Sequence, residues 1–251
     1  MDTLGVFLFL VTALVGSYVQ SVTGFAMGMI MIAVMVGSGL VAVPVITAVV
    51  SLLSLLNIVL ALRGHLQHVE RRLLLWMSIS LPVSVACGVL ALEVLDRRVA
   101  WLLELLLGSF IVLGSLSMML RPHPRQSLSR PWAAFTAGFA GGLLGGLFSA
   151  SGPVLGWFTY RQPLTAAEIR TTLLAVFALT TSLRIGVVGF TGGLTSQVWL
   201  LGLLGVPLVL LGTWLGRSFA PPLSDVGLKR MAFGILLLMG TWMVVRSLWL
   251  Q

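Results

Sequence analysis

Charged side chains are scarce in this sequence: Asp, Glu, Lys and Arg supply 9% of its 251 residues, against 58% hydrophobic. Water-soluble domains carry about a quarter charged residues, so the chain falls outside that class and its solvent is the lipid bilayer. Acids are scarcer still, seven in all. Of these only Glu104 in "WLLELLLG" has apolar sequence on both sides, and it sits close to the charged run 93–98, at an interface. The three histidines, His65, His68 and His123, fall in charged connecting segments, and no HExxH pattern or embedded acid pair occurs. An intramembrane enzyme needs a nucleophile with its base, or a metal set, within its spans. Catalysis, a metal centre and a cofactor are therefore not expected. The one cysteine, Cys87 in "SVACGVL", excludes an intramolecular disulfide and reads as a small packing residue.

What the sequence does have is apolar length. Blocks run near residues 4–22, 25–37, 40–62, 73–92 and 99–120, and again from 132 onward. A chain in lipid must pair its backbone amides internally, so these blocks predict an all-α integral membrane protein. The first block begins at Asp2 and has no Lys or Arg before Arg63, which argues against a cleaved secretory signal. The net charge of +8 is gathered in short loops, an orientation signal and not a nucleic-acid surface. "RGHLQHVERR" (63–72) and "RPHPRQSLSR" (121–130) are strongly basic and are read as cytoplasmic. "EVLDRR" (93–98) balances its charges and is read as an outside loop, which puts the N-terminus outside as well.

The chain also repeats itself. At an offset of 128 residues Ser21 matches Ser149, Gly24 matches Gly152, Gly28 matches Gly156 and Ser54 matches Ser182; at 126, Gly108 and Gly114 answer Gly234 and Gly240. The basic loop 63–72 corresponds to the uncharged "GGLTSQ" (192–197), whereas the balanced 93–98 corresponds to the basic 217–230. Inside loops of one half thus match outside loops of the other, which predicts inverted repeats: 1–120, a cytoplasmic linker 121–130, and 131–251. Inversion requires an odd number of crossings per half. Each half therefore pairs its first two apolar pieces, on either side of Gly24 or Gly152, as a re-entrant or broken hairpin followed by three transmembrane helices.

Irregular backbone at membrane depth survives where protein or a water-filled cavity satisfies it, and transporters build midplane sites from such breaks. In "SASGP" (149–153), Ser151 is placed as the N-cap and Pro153 in the first turn of a new half-helix, whose free N–H groups attract an anion. "QSVTGFAMG" (20–28) repeats the idea with Gln20, Thr23 and Gly24. Downstream, "TAAE" is a capping-box pattern with Thr165 as N-cap and Glu168 three residues on. Arg170 lies one turn inside that helix and Arg184 fourteen residues later, within roughly 40° of one face and about 21 Å apart. An arginine deep in a span is a functional candidate. Asn57, the strongly polar residue of the matching span in the first half, is paired with it here: an amide and a planar guanidinium gripping opposite sides of one small oxyanion.

"GLLGGLFSASGP", "LTAAEIRTTLLAVFALTTSLR" and "QSVTGFAMG" resemble the TauE/SafE sulfite-exporter family of membrane permeases, nearly over the whole chain. The resemblance implies a bacterial inner-membrane permease that moves small anions such as sulfite or organosulfonates, often outward. With acids so scarce, protons as coupling ion would travel on the bound anion itself. Carried over by position, the substrate residues are Gln20, Thr23, Gly24, Asn57, Ser151, Gly152, Pro153, Arg170 and Arg184. The reading is a secondary transporter of a small anion; a passive anion channel, lined by the same residues, is the alternative, and an intramembrane enzyme stands behind both. The oligomeric state is left open.

Overall fold

The computed structural model describes residues 3–119, 125–219 and 225–249, so part of the expected linker, 121–124, lies outside the described residues. The first half holds α1 (Thr3–Thr23), α2 (Met27–Gly37), α3 (Val43–Leu62), a 3-10 turn at Leu66–His68, α4 (Arg71–Arg98) and α5 (Ala100–Met119). The second holds α6 (Pro131–Phe148), α7 (Gly152–Tyr160), α8 (Ala166–Phe190), α9 (Ser196–Ser218) and α10 (Asp225–Trp249). Among the described residues seven helices are long and apolar enough to cross a membrane. The all-helical membrane architecture expected from composition is thus present.

Local chemistry explains the boundaries. Proline sits in the first turn of α3, α6 and α7, where no amide donor is needed. The expected capping box opens α8: the Thr165 hydroxyl accepts from Glu168 N, and Glu168 Oε2 accepts from Thr165 N at 2.8 Å. One boundary differs from the sequence reading. Glu93–Arg98 is no loop but the end of α4, which runs to Arg98 and yields only at Val99. Glu93, Leu95, Arg97 and Arg98 are good helix formers, and Arg97 and Arg98 complement the negative end of the helix dipole, so charge alone does not break the helix.

Small residues let the helices approach closely, as expected where lipid removes the hydrophobic drive between them. Gly138, Gly142 and Gly146 of α6 face α4, and a Cβ on Gly88 of α4 would lie 2.8 Å from Leu147 N and 2.9 Å from Gly146 Cα. Gly88→Ala is therefore expected to lower stability by about 1–3 kcal/mol through overpacking. Gly186→Ala on α8, with nothing within 4 Å, should gain about 0.5–1 kcal/mol of helix propensity. Thermal unfolding of the two variants in detergent checks the opposite signs.

The main helix pairings recur when the halves are exchanged: α1 packs on α9 as α6 does on α4, and α3 packs on α9 as α8 does on α4. The pairs α3 with α8 and α5 with α10 map onto themselves. Both of these run antiparallel. Thr47 near the start of α3 meets Arg184 near the end of α8, while His68, beyond the end of α3, meets Thr171 near the start of α8. Gly108 of α5 faces Met243 and Val244 of α10, while Gly240 faces Ile111 and Val112.

Each short helix folds back on the long one before it. Gly145 faces Ser151 and Gly141 faces Leu155 across α6 and α7, and Gly16 faces Met27 across α1 and α2. The second hairpin ends beside its own start, because Ser129 N donates to Gln162 Oε1 at 2.9 Å and Arg125 N to Arg161 O at 2.8 Å.

Candidate functional site

Two breaks build the site. The first follows Thr23, whose hydroxyl lies within hydrogen-bonding range of both Val19 O (2.8 Å) and Phe25 O (2.7 Å), and passes through Gly24 at φ +87° and Ala26 at φ +95°. The second starts at Ser149, φ +52°, whose N–H donates to Gly145 O at 2.9 Å. Ala26 and Ser149 are the two non-glycine residues with positive φ among the described residues. Left-handed backbone costs such residues about 1–2 kcal/mol, and strain of this kind gathers where function demands a particular geometry.

The two breaks touch. A Cβ on Gly152 would stand 3.0 Å from Phe25 Cδ2, and one on Gly28 would stand 2.6 Å from Ser149 O. Beside this contact lies a narrow cleft of about 30 Å³. Ala26 and Ser149 both line it, together with Gln20, Ser54, Ser151, Thr180 and Thr181. Gln20 is 4% exposed, and its Nε2 has no acceptor among the described residues. The first turns of α2 and α7 start at this cleft, and their first N–H groups have no partner within the helix. The lining is thus rich in neutral donors and carries no carboxylate among the described residues, a chemistry suited to an anion.

Of the nine residues singled out from the sequence, Gln20, Ser151 and Gly152 line the cleft. Ser151 occupies the N-cap position, but its hydroxyl does not bond the helix amides; its backbone is already αR, which aims the side chain elsewhere. Thr23 and Gly24 shape the first tip, and Pro153 packs its ring against Gly114 of α5. Gly24 and Gly152, matched in the self-comparison, are not structural equivalents: Gly24 opens the first break, whereas Gly152 starts α7 and Ser149 opens the second break. The glycine matches miss this three-residue difference because either side of a turn tolerates glycine.

Asn57, Arg170 and Arg184 stand outside the lining. Asn57 is fully buried, with Nδ2 at 3.0 Å from Ser17 O, 3.0 Å from Ser21 Oγ and 2.7 Å from Thr213 Oγ1. Arg184 is 1% exposed and donates from Nε to Gly146 O (2.9 Å), from Nη1 to Thr47 O (2.9 Å) and Ser51 Oγ (2.8 Å), and from Nη2 to Thr47 Oγ1 (2.8 Å). Arg170 donates from Nη2 to Ser21 O. Asn57 and Arg184 therefore hold different helices together and do not converge on one space. Arg184 does reach a second cavity, of about 250 Å³, shared with Glu93, Asp96, Arg97, Thr191 and Thr195.

The sequence reading passed over Ser54 and Ser149 in the lining, and Thr47 and Ser51 beneath it. A signal for three of them was available: Thr47, Ser51, Ser54 and Asn57 recur at helical spacing through "TAVVSLLSLLN", a polar stripe on an apolar span. Ser51 Oγ lies 2.9 Å from Ser149 Oγ and so ties this stripe to the second break.

The chain matches the sulfite exporter TauE/SafE family over residues 8–243. It belongs to that family. A curated relative from Cupriavidus necator (strain ATCC 17699), named "Probable sulfite/organosulfonate exporter TauE", is 42% identical over 233 residues, covering 93% of this chain and 91% of the relative. No solved structure matches the chain. TauE/SafE proteins are transporters and not an enzyme family, and the seven apolar helices make this member an integral membrane protein.

Proposed function

We propose that the chain is a secondary transporter that exports a small anion, sulfite or an organosulfonate, bound in the cleft where the two breaks meet. The observation that carries this is the buried Gln20 amide lining a cleft of hydroxyls and helix-start amides. The identity of the substrate is drawn from the family and the Cupriavidus necator relative. The two halves act as inverted repeats that alternate access around the cleft. The exchange-symmetric packing supports this, as do the antiparallel pairs α3 with α8 and α5 with α10, since each pair joins equivalent helices of the two halves. In this reading the N-terminus is outside, the linker is cytoplasmic and the membrane is the bacterial inner membrane. Protons are the coupling ion and travel on the bound anion, in keeping with a lining that offers hydroxyls and amides.

Proteoliposomes loaded with sulfite, sulfonates, thiosulfate, sulfate or carboxylates, with and without a pH gradient, test the proposal. Saturable flux of sulfite or a sulfonate, stimulated by the pH gradient and accompanied by counterflow of labelled substrate, is expected. Flux without counterflow identifies a pore and overturns the carrier. Gln20→Leu removes the amide at similar volume. Because a hydrogen bond to a charged group contributes about 1.5–3 kcal/mol, the variant should raise KM roughly ten- to hundredfold. An unchanged KM in folded protein removes the cleft from the mechanism.

A further inference from the structure

A broken helix is electrostatically ambiguous. Each helix end carries roughly half an elementary charge, negative at the carbonyl end and positive at the amide end, and a break sets the two side by side. Viewed from a cleft between two breaks, the carbonyl ends of α1 and α6 would cancel much of the attraction that the amide ends of α2 and α7 offer an anion.

The single helix α8 removes both carbonyl ends. The last four carbonyls of a helix have no intrahelical donor. In α1 they belong to residues 20–23 and in α6 to residues 145–148. Gln20 O and Gly145 O are taken by the N–H groups of Gly24 and Ser149. The next carbonyl in each series receives an arginine: Arg170 Nη2 donates to Ser21 O, and Arg184 Nε donates to Gly146 O. Corresponding positions at the two breaks are therefore met by two arginines of one helix, fourteen residues apart. All four acceptors of Arg184 are neutral oxygens, so its charge is directed at helix and hydroxyl dipoles. Through Thr47 and Ser51 it also braces α3, and Ser51 reaches Ser149.

We infer that Arg170 and Arg184 are positioning residues, not substrate ligands: they neutralise the carbonyl ends of the two breaks and space the tips, so that the cleft presents only amide ends and becomes selective for anions. This deepens the proposed anion site and rests on it. The second, independent pointer to a ligand at these helix starts is the buried Gln20 Nε2, which has no acceptor among the described residues.

The test compares Arg170→Gln, Arg170→Lys, Arg184→Gln and Arg184→Lys in proteoliposomes, with Gln20→Leu alongside and monodispersity in detergent as the folding check. Each Gln variant should raise KM about tenfold, by the same factor for sulfite as for a bulky organosulfonate, because a lost field does not depend on the shape of the anion. Each Lys variant retains the charge and should stay within about threefold of the parent. A parent-like KM in folded Gln variants overturns the inference. So does a loss that Lys fails to rescue and that differs between the two anions, which marks a direct ligand. Where the Arg184 variants give no folded protein, the Arg170 pair decides. Altered KM in Gln20→Leu with parent-like arginine variants rejects the inference alone; a parent-like KM in Gln20→Leu rejects the anion site beneath it.

Discussion

Gly28→Ala is expected to abolish sulfite flux in a protein that still folds. The added Cβ would lie 2.6 Å from Ser149 O and 3.3 Å from Val50 Cγ1. Side-chain ends can swing aside, but Ser149 O is backbone, and it belongs to a residue already held in the left-handed region by its bonds to Gly145 O and Ser51 Oγ. The two breaks must therefore separate by several tenths of an ångström or more to reach ordinary contact. Overpacking of this kind costs about 1–3 kcal/mol, which a membrane protein of this size can absorb. Function is less tolerant, because a misplacement of about 1 Å in a binding constellation is enough to lower rates by roughly a hundredfold. Labelled-sulfite flux at matched protein content, together with the unfolding temperature, measures both consequences. Flux within twofold of the parent would show that the tips need not touch.

The second large effect falls on Asn57, where Asn57→Asp should leave little folded protein. Its Nδ2 points at oxygens from α1 and α9 at once, and Ser17 O among them can only accept. A carboxylate there would set an acceptor against an acceptor and bury a charge with full desolvation, a penalty of several kcal/mol. Asn57→Leu is milder. Ser21 Oγ donates to Ser17 O at 2.8 Å and Thr213 Oγ1 to Val209 O at 2.6 Å, so both hydroxyls keep partners in their own helices. The Leu variant should lose about 1–3 kcal/mol of stability and keep the parent KM. Tryptophan-monitored unfolding in detergent and the KM for sulfite separate the cases. A raised KM at unchanged stability would return Asn57 to the binding site.

Both predictions concern residues that the sequence marks, Gly28 by its match to Gly156 and Asn57 by its polarity, but whose job it does not give. Asn57 and Arg184 stand out in the sequence as polar residues within apolar spans; both are buried, and the Asn57 Nδ2 and the Arg184 guanidinium are bonded to neighbouring helices. Their partners lie up to 156 and 137 residues away, a distance that no periodicity spans. Glu93–Arg98 shows the opposite case, in which charge suggested a loop while helix propensity and the dipole kept the segment helical. Ser149 was marked only as a repeat match and as part of "SASGP", because its importance lies in a φ angle imposed by the turn and by Ser51.

Composition by itself settled the solvent, and with it an all-helical fold, because a chain with 9% charge cannot remain in water and its amides cannot remain unpaired in lipid. Residue type also set where the first break opens and where α7 can begin, since Gly24 takes a positive φ and Pro153 sits in a first turn that needs no amide donor. Packing alone decided which polar groups are engaged and which are available. A hydrogen bond belongs to a pair, and only the folded arrangement turns Arg184 onto neighbouring helices while it leaves the Gln20 amide in the cleft.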